Sequence, residues 1–236
     1  MDRIGKKIHI WVVVLTGAVF LVSGTGAHGA IVGKSGSTFH LVAKQDVLIT
    51  SDGDSFIMWG FGIKDDVSGA TSRAQYPGPT LIVTEDVPVT ITLRNELPAK
   101  AGNVSIIFPG QKVTATSRVL GPLTYEAVPV ETLHESIDGS ATYTFTPSEP
   151  GTYVYRSGTM ADLQVEMGLV GALIVMPATT PSGGDPAKKY AYNHVDSQYD
   201  REFLYLVSEM DPRIHRLVEQ NLIGNINFTT YFPTNW

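Results

Sequence analysis

Residues 87–93 alternate: Val87, Val89, Ile91 and Leu93 fall on one side, Thr90 and Thr92 on the other. Successive side chains of a strand point to opposite faces, so this rhythm predicts a half-buried strand. Residues 142–146 repeat it, with Tyr143 and Phe145 as the apolar positions. Further short strands are predicted at residues 39–43, 56–61, 80–83, 104–108 and 151–155. Turn signals separate them: Asp52-Gly53, Tyr76-Pro77-Gly78-Pro79 and Glu149-Pro150-Gly151. Residues 168–176 are almost continuously apolar, which suits a central strand covered on both faces. No strong amphipathic helix precedes residue 190, and no internal repeat is present. Many short strands with regular turns predict an all-β sandwich or barrel.

The pattern changes after residue 177. Residues 178–189, with two each of Pro, Gly, Thr and Lys, read as a linker. Residues 202–208 read as a strand, Phe203-Leu204-Tyr205-Leu206-Val207 at its centre. Asp211-Pro212 then reads as a helix start, Asp as N-cap and Pro at the first position. Ile214, Leu217 and Val218 give that helix an apolar face. One strand and one helix cannot enclose a core. The tail must pack on the sandwich, meet a partner, or open a second domain.

The first thirty residues read as an export signal. Arg3, Lys6 and Lys7 precede a mostly apolar run at residues 10–22, and small residues follow at 24–30. The other reading is a membrane anchor, but a run of about thirteen residues is short of the ~20 that span a bilayer. Cleavage is expected between Ala27 and Ala30, leaving an exported protein with no stable membrane anchor.

Composition narrows the chemistry. The net charge is −6 over 236 residues, so no basic excess exists to neutralise nucleic-acid phosphates. Charged residues make up only 17% of the chain, with 23 Gly and 14 Pro, in keeping with a turn-rich β protein. Cysteine is absent. That excludes disulfides, thiolate nucleophiles and any copper site built on a thiolate. No Gly-x-Ser-x-Gly elbow and no phosphate loop occur. Asp52-Gly53 and Asp65-Asp66 read as turns rather than a calcium site.

Two blocks carry a resemblance. The first runs from Tyr76-Pro77-Gly78-Pro79-Thr80-Leu81-Ile82-Val83-Thr84-Glu85 into Val89-Thr90-Ile91-Thr92-Leu93-Arg94-Asn95-Glu96-Leu97-Pro98. The second is Tyr143-Thr144-Phe145, Pro150-Gly151-Thr152-Tyr153-Val154-Tyr155 and residues 168–175. In order and spacing they resemble the N-terminal plastocyanin-like (cupredoxin) domain of multicopper oxidases. The resemblance covers about residues 38–177 and implies a Greek-key cupredoxin-like β-sandwich. Residues 190–236, with Ser208-Glu209-Met210-Asp211-Pro212-Arg213, resemble the incomplete start of a second such domain.

The resemblance also implies where copper ligands would stand. The family places His-x-His motifs at two points, since alternate residues of a strand aim two imidazoles to one side. At the first point this chain has Ile107 and Pro109; at the second it has Arg156 and Gly158. Isoleucine has no donor atom, Pro and Gly offer only backbone carbonyls, and Arg is a permanent cation. No copper is therefore expected at these positions, although copper is the family's cofactor. Arg156 has two readings: a guanidinium filling the vacated site and paired with Asp162 or Glu166, or a solvated loop residue. Apart from His9, which lies in the export signal, the histidines are His28, His40, His134, His194 and His215, and no two lie at ligand spacing. His28 is a special case: cleavage after Ala27 would make it the N-terminus, where amine and imidazole could chelate Cu(II). Met58, Met160, Met167 and Met176 are too spread for a Cu(I) site and read as core filling.

Three functions compete at this point. The chain is the non-catalytic N-terminal domain of an exported multicopper-oxidase-like protein, with further cupredoxin domains as its partners. Alternatively it is a standalone exported module that docks on a separate oxidase. In the third, it is a copper carrier acting through His28.

Overall fold

The computed structural model of the chain describes residues 30–65, 68–117, 121–126 and 140–228. The export-signal segment, His28, His134, Asp66 and residues 229–236 lie outside the described residues.

The first half of the chain forms β1 (Lys34–Ser35), β2 (Thr38–Ile49), β3 (Ser55–Lys64), β4 (Gly78–Thr84), β5 (Val89–Glu96) and β6 (Ile106–Ile107). There follow β7 (Lys112–Ser117), β8 (Gly121–Glu126), β9 (Ser140–Phe145) and β10 (Gly151–Ser157). A short helix α1 (Ala161–Glu166) precedes β11 (Val170–Met176). The tail contributes β12 (Lys189–Tyr190), β13 (Gln198–Tyr199) and α2 (Pro212–Glu219).

The main strands form two sheets. One has the order β3-β2-β5-β9-β7-β8, the other β1-β4-β11-β10-β6. The chain alternates between them: β4 lies in one, β5 in the other, β6 in the first again. β2 pairs parallel with β5 and β4 parallel with β11, while the hairpin pairs β2–β3, β7–β8 and β10–β11 are antiparallel. This is the Greek-key β-sandwich that the alternation and the resemblance implied.

The core lies between the sheets, where the period-two pattern puts it. Val89, Ile91 and Leu93 of β5 face Leu81 and Val83 of β4 and Leu173 and Val175 of β11 in one buried cluster. Val87 departs from its expected face: it is exposed, in the turn that Asp86 makes with a left-handed φ of 57°. Strand β5 begins only at Val89. At the other end of the core, Phe108 stacks among Tyr143, Phe145 and Tyr155 with ring centroids 5.2–6.1 Å apart. The buried Tyr143 hydroxyl accepts from the Ile106 amide (3.0 Å), and Tyr155 donates to the Pro79 carbonyl (2.7 Å).

Strand β11 is covered on both faces, as its composition required. Leu173 and Val175 enter the core, while Ala172 and Ile174 are buried on the opposite face. A cleft on that face is lined by Ile82 and Ile174 together with Tyr190, Tyr199 and Glu202 of the tail. Glu85 fixes the crossing segment: its carboxylate accepts from the Ala178 amide (3.3 Å) and from Asn193 Nδ2 (2.7 Å). Helix α2 ends the excursion against β3, adding Ile214 and Val218 to the main core. Its start is as predicted, with Asp211 accepting from the Arg213 amide (2.7 Å) and Pro212 in the first turn.

Residues 203–207 keep a strand rhythm without a strand partner. Phe203, Tyr205 and Val207 are 68%, 85% and 91% exposed, and the residues between them are half-buried. Among the described residues this ribbon joins no sheet. The strand expected at 202–208 is thus present as an alternation, not as a pairing.

Candidate functional site

The positions singled out by the sequence converge at one edge of the five-stranded sheet. β6 is the edge strand and pairs antiparallel with β10, which sets Ile107 directly opposite Arg156 and Ile106 opposite Ser157. Alternation then sorts the side chains. Ile106 and Ser157 are fully buried, while Ile107 and Arg156 stand half-buried on the other side of the sheet. Gly158 follows at the strand end, its amide donating to the Ser105 carbonyl (3.3 Å). Pro109 is exposed in the next turn, which closes through the Gln111 amide and the Phe108 carbonyl (3.0 Å).

Buried polar groups hold this edge in shape. The Ser157 hydroxyl donates to Gln164 Oε1 (2.6 Å) and accepts from the Thr159 amide (3.2 Å). Ser105 and Thr159 share a hydrogen bond of 2.8 Å. Gln164 of α1 donates to the carbonyls of Ala101 (3.0 Å) and Asn103 (2.8 Å). Ser105, Ser157 and Gln164 are all inaccessible to solvent. Each finds a partner, as buried polar groups must. The sequence reading missed this network. Its one signal was the alternation that turns Ser157 inward between Arg156 and Gly158.

Arg156 resolves between its two readings in favour of neither in full. It is half-buried, and its Nη1 donates to the Ser157 carbonyl at 3.2 Å. Among the described residues it forms no ion pair with Asp162 or Glu166. Glu166 is engaged elsewhere, accepting from the Asp211 amide and lying 3.9 Å from His215 Nε2. The donor set at this edge does not fit copper. One side chain has no donor, two positions carry only amides, and the fourth is a fixed cation.

The remaining candidates are scattered. His40 lies on β2 and His215 on α2; His194 is exposed, with Nδ1 accepting from the Asp196 amide (3.3 Å). Among the described residues no three His, Asp or Glu side chains come together as a metal group. Met58 and Met167 fill the interior, while Met160 is exposed and Met176 half-buried. No described helix is long and apolar enough to cross a membrane.

Comparison with known proteins agrees with the two sequence blocks. No curated protein matches the chain. Among solved structures, a multi-copper oxidase from Pseudomonas thermotolerans shares 17% identity, with a TM-score of 0.43, over 64% of this chain and 31% of that one. A copper nitrite reductase from Nitrosomonas europaea shares 21% identity, with a TM-score of 0.44, over 66% of this chain and 47% of that one. The chain therefore spans less than half the length of these structures. The multicopper oxidase family model matches residues 63–180, which hold both the Pro-Gly-Pro block and the β10–β11 block. By that match over half its length, the chain belongs to the multicopper oxidase family.

Proposed function

We propose that the chain is the N-terminal β-sandwich of an exported multicopper-oxidase-like protein, and that it acts as a scaffold rather than as a copper-bearing domain. The observation that carries this reading is the register pair Ile107–Arg156. At the positions where the resemblance puts imidazoles, a hydrocarbon faces a permanent cation. An arginine there repels a metal ion at any physiological pH. The absence of cysteine in the sequence removes the thiolate of a blue site as well. The oxidase chemistry then belongs to further cupredoxin domains, in the same or a separate chain. The signal-type N-terminus supports export.

The tail supports the partner assignment. Phe203, Tyr205 and Val207 point outward at two-residue intervals. Exposed apolar side chains in that rhythm fit a strand that a second sandwich completes. Residues 190–236 are in this reading the opening of that second domain.

The test is to purify the full chain from the exported fraction, load it with Cu(I) and Cu(II), and dialyse against a weak chelator. The expected result is a mature N-terminus between residues 28 and 31 and no stoichiometric copper. Retained copper, one ion or more per chain, overturns the scaffold reading. If that copper is lost in His28→Ala, the carrier reading replaces it.

A further inference from the structure

His215 is the most completely buried ionisable side chain of the tail, with no exposed surface. Both of its ring nitrogens face backbone carbonyls. Nδ1 lies 2.5 Å from the Ile57 oxygen on β3, and Nε2 lies 3.2 Å from the Glu166 oxygen at the end of α1. A carbonyl can only accept. A neutral imidazole carries one proton, so it can satisfy one of these contacts and must turn a lone pair on the other. Only the doubly protonated ring satisfies both. The counter-charge is at hand in the Glu166 carboxylate, 3.9 Å from Nε2, which itself accepts from the Asp211 amide at the N-cap of α2. The Phe56 ring closes the site, 4.7 Å from the imidazole.

We propose that His215 and Glu166 form a one-proton latch that holds α2, and the chain around it, on the sandwich. The ring ties the helix to two separate elements, and the carboxylate ties α1 to the helix start. When the shared proton leaves, a ring lone pair faces a carbonyl oxygen and a half-buried carboxylate loses its counter-charge. Both changes weaken docking.

The other charges around the latch are already engaged. Asp211 pairs with Arg213, and Arg216 reaches Asp54 ahead of β3 at 2.5 Å. Lys100 donates to the Val218 carbonyl (2.7 Å). Burial pushes Glu166 up to about 7, with the carboxylates of Asp211 and Glu209 adding to the rise and the Asp211 amide opposing it. Burial pulls His215 the other way, against its two carbonyl contacts and Asp211. In such a pair the titration belongs to both groups together. The pair keeps one proton below about pH 7 and loses it above. The free pair also holds one proton, up to the ordinary histidine value of 6.5, so docked and free chains differ only between 6.5 and about 7, where docking weakens as pH rises.

The test is ring-nitrogen NMR on the ¹⁵N-labelled full chain, with amide exchange followed in the same samples. At about pH 6 both nitrogens of His215 should carry protons. One should be lost on raising the pH, and protection of the Ile214, His215 and Val218 amides should fall severalfold relative to β5. Glu166→Gln keeps an acceptor for the Asp211 amide but removes the counter-charge, and it should move the His215 midpoint to lower pH. A singly protonated ring at about pH 6 overturns the latch. So does helix protection that stays flat or rises with pH, or a midpoint that Glu166→Gln leaves in place. The wild-type ring spectrum decides the matter even if the variant does not fold.

Discussion

Gly171 lies beneath the Tyr155 ring. A Cβ added to it would stand 2.3 Å from Tyr155 Cζ and 2.4 Å from Oη. Gly78 on the neighbouring strand meets the same hydroxyl, 3.0 Å from where its own Cβ would be. The two glycines open a slot through which the tyrosine crosses β11 to reach the Pro79 carbonyl on β4. The ring cannot swing aside, because it is fully buried between Phe61 and Phe108. Gly171→Ala should therefore destabilise the sandwich by about 1–3 kcal/mol, as overpacking does. Tyr155→Phe keeps the packing but strands a carbonyl, and it should cost about 1–2 kcal/mol. Denaturant unfolding of the two variants checks the order. If Gly171→Ala unfolds at the wild-type midpoint, the slot is not what places this tyrosine. Neither glycine's role is readable from the sequence, where both are simply small residues near a turn or an apolar run. The contacts that require them come from residues at least sixteen positions away.

Among elements, α2 and the ribbon before it show opposite fates of two equally clear patterns. The helix was legible because capping is local: Asp211 and Pro212 mark the start, and Ile214 and Val218 mark the buried side. His215 shares that side, between Ile214 and Val218, and position alone placed it inward. Its proton state was not legible, since the two carbonyls it meets belong to β3 and α1. The ribbon at 203–207 has an alternation as good as that of β5, yet no strand of the described residues pairs with it. Alternation reports a side-chain preference; pairing needs a second chain segment at the right place. Replacing Phe203, Tyr205 and Val207 together with Ser should leave thermal unfolding of the monomer within about a degree or two, because these side chains bury little. The same change should raise solubility and abolish any binding of a second sandwich domain. A large fall in melting temperature would mean that the ribbon belongs to this fold's own core.

At the scale of the whole molecule, the limits of pattern reading follow from weak side chains. Strand β7 carries a faint signal: Lys112-Val113-Thr114-Ala115-Thr116-Ser117 alternates, but its apolar positions are only Val113 and the small Ala115. The apolar pattern predicts a strand over residues 39–43, whereas β2 runs on to Ile49, because pairing with β3 carries it past Lys44, Gln45 and Asp46. The edge site was legible as four positions. That Ile107 sits opposite Arg156 needed the register of two strands nearly fifty residues apart. The tail poses the remaining question, whether it leans on the sandwich or completes it. Ile214 and Val218 lie in the same buried cluster as Leu41 and Ile91, and on the outer face of β11 Ile174 shares a cleft with Tyr190, Tyr199 and Glu202 of the tail. Fully burying an aliphatic side chain contributes about 1.5–3 kcal/mol, so these two residues alone contribute ~3–6 kcal/mol. A domain's whole stability is about 5–15 kcal/mol. Ending the chain at residue 177 should therefore remove much of that margin, expose Phe56, Met58 and Ile174, and make the product bind a hydrophobic dye in its folded state. The measurement is the unfolding free energy of the shortened chain against the full one, with dye fluorescence below the transition. If the shortened sandwich unfolds at the same denaturant concentration and stays dark, the tail is only resting there on its way to another domain. If it loses several kcal/mol, the cover supplied by residues 178–228 is part of this fold, and any second domain would be anchored through it.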